Sequence, residues 1–101
     1  MRAVHLVQLD KVRPAVVLTR ALAVPHLRAI TVAPITSTVR GYASEVSLGR
    51  ENGLDHESVA NCAAIQTVPA DHLLRQIGFL LPEQERLLTG ALFAAFDLVE
   101  P

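Results

Sequence analysis

The sequence predicts a mainly β or α+β small barrel with a long C-terminal helix, built as one domain over residues 1–101. Three observations point there. Short apolar, β-branched runs separated by Pro, Gly and charged turns fill residues 3–81. Residues 82–99 then switch to a single stretch of helical spacing. Strands first and a helix last is the order of a mainly β or α+β domain, not of a parallel βαβ sheet.

Residues 3–9 (AVHLVQL) read as a first strand, closed by the polar turn Asp10-Lys11. Pro14 to Thr19 (PAVVLT) reads as a second, with Pro tolerated at its first residue. Pro25 breaks residues 21–27 into a connection. Ala29 to Ile35 (AITVAPI) reads as a third strand, whose Pro34 marks a sheet edge or bulge. Residues 37–43 form a loop around Gly41, and Ser44 to Leu48 alternates as a short half-exposed strand. Residues 49–57 are a polar loop. Ser58 to Thr67 reads as one strand of small residues, Pro69 to Leu74 as a short helix with Pro in its first turn, and Gln76 to Leu81 as the last of about six strands.

Over residues 82–99, Pro82, Glu83 and Glu85 suit the positive end of a helix, and Leu88, Leu92, Ala95 and Val99 line one face. Leu87, Ala91, Ala94, Phe93 and Phe96 widen that face, so the helix packs on the sheet and on a second chain. Gly90 costs about 1 kcal/mol relative to Ala, which packing must offset or exploit.

Half of the residues are hydrophobic and 19% are charged, against about 25% in an average globular protein. With a mean hydropathy of +0.34, disorder is excluded and part of the apolar surface is expected to be covered by a second copy. The single cysteine, Cys62, excludes an intrachain disulfide framework and a Cys-rich zinc site, and points to a reducing cytoplasm. No targeting or membrane-spanning segment is expected, because Arg2, His5, Gln8, Lys11 and Arg13 interrupt the first apolar run. Aromatic residues make up 4% with no Trp, which argues against a stacking platform for bases.

The net charge of −1 hides an asymmetry. Residues 1–44 hold Arg2, Lys11, Arg13, Arg20, Arg28 and Arg40 against Asp10 alone, a balance of +5, and residues 45–101 balance it with −6. Arg matches phosphate oxygens with a planar fork, so the basic half is expected to face a polyanion.

Gly-rich phosphate loops and HExxH are absent, and the histidines His5, His26, His56 and His72 are scattered over four elements. Asp55 and Glu57 offer too few ligands for a cation, and Cys62 reads as inert core. No cofactor and no metal is expected. What remains is Arg13 before Pro14, and Thr36, Ser37 and Thr38 after Ile35. A guanidinium beside a hydroxyl suits an anion that gathers negative charge, and a strand-end Arg with an ordinary polar turn would look the same.

Those residues carry a resemblance. Val12-Arg13-Pro14-Ala15-Val16-Val17-Leu18-Thr19, followed by Thr31-Val32-Ala33-Pro34-Ile35-Thr36-Ser37, resembles the MazF/PemK family of toxin endoribonucleases. Residues 55–69 (DHESVANCAAIQTVP) and the ending Leu73 to Leu98, with Ile77-Gly78-Phe79-Leu80-Leu81-Pro82-Glu83, extend the likeness over nearly the whole chain. It implies an SH3-like barrel with a long C-terminal helix and a homodimer. It also implies metal-independent cleavage of single-stranded RNA, messenger RNA or an exposed tRNA loop, at short sequences, with neutralisation by a cognate antitoxin. By that resemblance Arg13 and Thr36 are catalytic; Lys11, Ser37, Thr38, Arg40 and Gln66 are expected to bind RNA.

The sequence departs from the family pattern in three places. Asp10-Lys11-Val12 replaces a longer loop before the Arg, Gln66 stands where Arg is expected, and Leu81 stands where Ser caps the helix. The first two bear on specificity and rate, the third on stability. The rival expectation is a non-catalytic, protein-binding toxin of the same fold, like the gyrase poisons, or a degenerate member that only binds antitoxin.

Overall fold

The computed structural model describes residues 1–99. Among them are seven strands: β1 Ala3–Gln8, β2 Val12–Val17, β3 Ala29–Thr36, β4 Glu45–Leu48, β5 Ser58–Asn61, β6 Gln66–Pro69 and β7 Leu73–Phe79. One helix, α1, spans Pro82–Phe96. All strand pairs are antiparallel, in the order β4-β5-β3-β2-β1-β7, with β6 also on β3. The result is a curled half-barrel with α1 laid across β4 and the turn after β5. That matches the mainly β small barrel with a terminal helix.

The apolar run of β2 has a direct cause. Successive side chains of a strand point to opposite faces, and both faces are buried here. Val16 joins Val4, Ile35, Val46, Leu88 and Ala91 under the helix. Ala15 and Val17 join Val7, Ile30, Val32 and Val68 on the other side. A strand covered on both faces reads as a continuous hydrophobic run, not as alternation.

β3 takes two partners along one edge. Ala29–Val32 pair with β6, and Ile35 and Thr36 pair with β5. Pro34, which has no N–H to donate, falls at the change of partner, still opposite Ala15 of β2. It therefore marks an internal corner, not the expected sheet edge or bulge. The same corner divides the single strand expected over 58–67. Asn61 Oδ1 accepts the Ala63 N–H at 3.0 Å and starts a 3-10 turn at Cys62–Ala64, which separates β5 from β6. An Asx turn inside an apolar run breaks the ladder without changing hydropathy.

Other boundaries also move. β2 begins at Val12, so Pro14 lies inside it, opposite Leu6 of β1 and beyond the β3 ladder, which starts at Ala15. The short helix expected over 69–74 is one 3-10 turn, Ala70–His72, after which β7 starts at Leu73. β1 needs that longer partner, and the register between them shifts on both sides of His5. α1 stops at Phe96 instead of running to 99, because Asp97 turns left-handed at φ 53° and the Leu98 N–H returns to the Phe93 carbonyl at 2.9 Å.

The start of α1 is tied to the 49–57 loop. Asn52 is fully buried. Its amide donates to the Phe79 carbonyl at 2.9 Å and to Gln84 Oε1 at 2.6 Å, while Gln84 Nε2 donates back to Asn52 Oδ1 at 3.2 Å. Leu81 supplies no side-chain cap, as expected, but Gln84 Oε1 also accepts the Leu81 N–H at 2.8 Å. Half of a capping box therefore survives. Gly53 and Gly78 complete the junction. A Cβ at Gly53 would run into the Ile77 carbonyl, and one at Gly78 into the Asn52 carbonyl.

Candidate active site

Leu9, Asp10 and Lys11 form the turn between β1 and β2. This places Asp10 beside Arg13 near the start of β2. The carboxylate grips the guanidinium with both oxygens: Arg13 Nε donates to Oδ1 at 2.8 Å and Nη2 to Oδ2 at 3.0 Å. A fork-to-fork pair of this kind fixes orientation as well as charge. Arg13 holds the Asp10 carboxyl well below the usual carboxylate range, and Asp10 raises the guanidinium's already high pKa.

Thr36 ends β3, where β5 is its partner. Its Oγ1 accepts the Thr38 N–H at 3.1 Å, which leaves the hydroxyl hydrogen free to donate. Beyond it, Glu45 gathers the loop: its carboxylate accepts the backbone N–H groups of Arg40 at 3.2 Å, Gly41 at 2.8 Å and Tyr42 at 3.3 Å. Gly41 makes that wrap possible with φ +78°.

Two cavities meet at these residues. The first, about 390 Å³, runs from Arg13 and Thr36 to Thr38, Arg40, Glu45, Asn61 and Gln66. The second, about 410 Å³, lies on their other side, with Ser37, Asp55, His56, Ser58 and Arg75. Arg13, Ile35 and Thr36 line both and form the ridge between them. Arg13 and Thr36, expected to act together, are thus brought together. Thr38, Arg40 and Gln66 fall in the first cavity and Ser37 in the second. Lys11 is exposed on the turn and lines neither.

The charge expectation needs correction. The basic half does not gather on one face: Arg20 lines a separate cavity of about 450 Å³ with Arg2, Phe79 and Glu85. Arg28 lines none of the three. Asp10 and Glu45 interleave with Arg13 and Arg40, and Arg75 arrives from the acidic half. The curl of the sheet, not position along the chain, decides which charges meet.

Asp10, Glu45, Asn61, His56 and Arg75 are the site residues that sequence reasoning missed. Asp10 alone left a local signal, an acid three residues before an Arg across a hairpin turn. The others are joined to the site only by tertiary folding. Cys62 is buried and lines neither cavity, and desolvation pushes its thiol up to about 11, the state of an inert core cysteine. Among the described residues, no three His, Cys, Asp or Glu side chains are grouped to hold a metal ion. No described helix is long and apolar enough to cross a membrane.

A family model for the PemK-like, MazF-like toxin of type II toxin-antitoxin systems matches residues 5–93. The chain is 53% identical over 98 residues to endoribonuclease MazF3 of Mycobacterium tuberculosis, covering 97% of this chain and 95% of that one. It is 41% identical over 88 residues to the probable endoribonuclease MazF5 of the same organism, covering 84% and 79%. The solved structure of the M. tuberculosis toxin MazF-mt6 superposes with a TM-score of 0.96 at 52% identity, covering 98% of this chain and all of that one.

Proposed function

The chain belongs to the PemK-like, MazF-like family of toxins of type II toxin–antitoxin systems, and from that premise we propose how its own residues carry the activity. It is a toxin endoribonuclease. The nuclease reading stands over the binding-only rival. The substrate is single-stranded RNA, a messenger or an exposed tRNA loop, cut at short sequences. The observation that carries the assignment of residues is the shared ridge: Arg13 and Thr36 line both cavities, so a strand passing from one to the other crosses them.

In the reaction, the ribose 2′-oxygen attacks the adjacent phosphorus. The P–O5′ bond breaks, the 2′ proton leaves to an acceptor, and the 5′ oxygen takes up a proton. The products are a 2′,3′-cyclic phosphate and a 5′-hydroxyl end. No step calls for a metal or a cofactor. Arg13 stabilises the charge that gathers on the phosphate oxygens, and Thr36 donates its free hydroxyl hydrogen to one of them. The guanidinium's high pKa rules it out as the base. Asp10 is a positioning residue: it holds the fork aimed at the ridge and releases it to the scissile phosphate, whose oxygens accept the same paired hydrogen bonds and gain charge as the transition state forms.

The first cavity supplies donors and acceptors for the RNA from Thr38, Arg40, Asn61 and Gln66, with Lys11 contributing long-range attraction from the turn. The protein works in the cytoplasm and as a homodimer; the exposed Phe79, Leu81 and Leu87, around the junction of β7 and α1, support the dimer. Its antitoxin is an acidic, partly disordered segment that folds over the ridge and competes with RNA.

Incubation with mixed single-stranded RNA in excess EDTA tests the assignment. The wild-type protein is expected to cut at a few defined sites. Arg13→Ala is expected to lose about a hundred- to a thousandfold in rate, and Thr36→Val about ten- to a hundredfold. Undiminished cleavage by Arg13→Ala would overturn the role of Arg13.

A further inference from the structure

The second cavity holds groups that the ridge chemistry leaves unused. Arg75 of β7 and His56 of the 49–57 loop face the same space of about 410 Å³, with Asp55 and Ser37 beside them. Both side chains are exposed. Arg75 takes part in no ion pair among the described residues. His56 receives a hydrogen bond at its carbonyl, from Ser58 Oγ at 3.2 Å, and its ring is left free.

This wall is held rigidly. The loop that carries Asp55 and His56 is clamped to β7 by the close backbone approach of Gly53 and Gly78 and by the Asn52 amide on the Phe79 carbonyl, and to α1 by the buried Asn52–Gln84 pair. Arg75 lies three residues before Gly78 on that same strand. The loop and Arg75 therefore keep a fixed relation to each other and to the ridge.

The chemistry of the wall is that of a nucleotide receptor. A free guanidinium matches a phosphate. A carboxylate accepts from the amino groups of bases but repels phosphate, so Asp55 and Arg75 sort base from backbone. A free imidazole ring offers a plane on which an unstacked base can rest. The volume lies within the range of small-molecule pockets. Because Arg13 and Thr36 line both cavities, this cavity adjoins the position of the scissile phosphate on the ridge and lies within reach of the next nucleotide.

We propose that the second cavity is a nucleotide subsite, in which Arg75 binds the RNA phosphate next to the scissile one and His56 stacks on the attached base. The subsite rests on the endoribonuclease reading above. Arg75 also adds a cation on the far side of the ridge, opposite the cavity where Gln66 stands in place of an Arg.

The test uses the RNA sequence that the wild-type protein cuts, made uncleavable by 2′-deoxy substitution at the cut. Binding is measured across a salt series for wild type, Arg75→Ala, Arg75→Lys, His56→Ala and His56→Phe. Arg75→Ala is expected to weaken binding about tenfold, and to reduce the slope of log K against log salt by about 0.7, the loss of one phosphate contact on a single strand. Arg75→Lys should recover the slope but not the full affinity. His56→Ala should weaken binding several-fold with the slope intact, and His56→Phe should restore it. On cleavable RNA, the losses should fall on KM rather than kcat.

Unchanged binding and slope in Arg75→Ala, with wild type binding normally, would overturn the subsite and leave the nuclease reading standing. So would a loss confined to kcat. If wild type neither binds nor cuts any RNA, the nuclease reading fails and the subsite fails with it. Thermal melts within a few degrees of wild type confirm that these exposed substitutions leave the fold intact.

Discussion

At the scale of single residues, the most informative pair is Asp10 and Arg13. The carboxylate fills the guanidinium fork that we propose for the phosphate, and the guanidinium keeps the carboxylate ionised. The pH dependence follows. Asp10 titrates lower in the folded chain than at its unfolded value of about 3.9, so its contribution to stability is complete above that value and is lost as pH falls toward the folded one. Carboxyl-carbon NMR is expected to show Asp10 still ionised where ordinary aspartates are half protonated, and Arg13→Ala should return it to the ordinary range. Asp10→Asn should lower kcat by up to about a hundredfold through misdirection of the guanidinium, with little change in the affinity for uncleavable RNA. A parallel loss of affinity would instead make Asp10 a substrate contact.

Elements are held in place at two glycines, and a third is open. Gly53 meets the Ile77 carbonyl and also has φ +87°, so Gly53→Ala combines a clash with a disfavoured backbone. A destabilisation of at least about 2 kcal/mol is expected in urea denaturation. Gly90, inside α1, has nothing within 4 Å of where its Cβ would stand. The expectation that packing exploits it is not met within one chain, and Gly90→Ala should stabilise α1 by about 0.5–1 kcal/mol. A loss of stability at Gly90 would mean that a second chain approaches the helix there.

How much was legible follows from the same elements. β1, β3, β4 and α1 were readable within one to three residues because hydropathy and punctuation agreed. The β5–β6 corner was not, since the Asn61 turn sits inside an unbroken apolar run. Arg13 and Thr36 were found through family likeness, and local pattern alone could not separate them from a surface Arg and a polar turn. His56 and Arg75 were beyond any local reading: nineteen positions separate them, and only the clamp between the 49–57 loop and β7 makes them neighbours.

For the molecule as a whole, the apolar surface left by one chain asks for a partner. Phe79 at the end of β7, Leu81 just before α1, and Leu87 and Phe96 on α1 are all exposed. Analytical ultracentrifugation is expected to give the mass of two chains, near twice 10.9 kDa. A single-chain mass that does not change with concentration would remove the dimer.

The pairing of β1 with β7 has a consequence for the timing of biosynthesis. β1 leaves the ribosome before the other described strands, yet one of its two edges is filled only by β7, the latest of them. Until residues 73–79 emerge, that edge stays open and available for wrong pairing. The late strand also brings Arg75 and the Gly78 half of the clamp. Without that strand, Arg13 and Thr36 lack the Arg75 wall of the second cavity. The full grip on RNA that we propose for the subsite thus arrives only with the late strand, so a chain still lacking it would hold the message being read to make it less tightly than the finished toxin does.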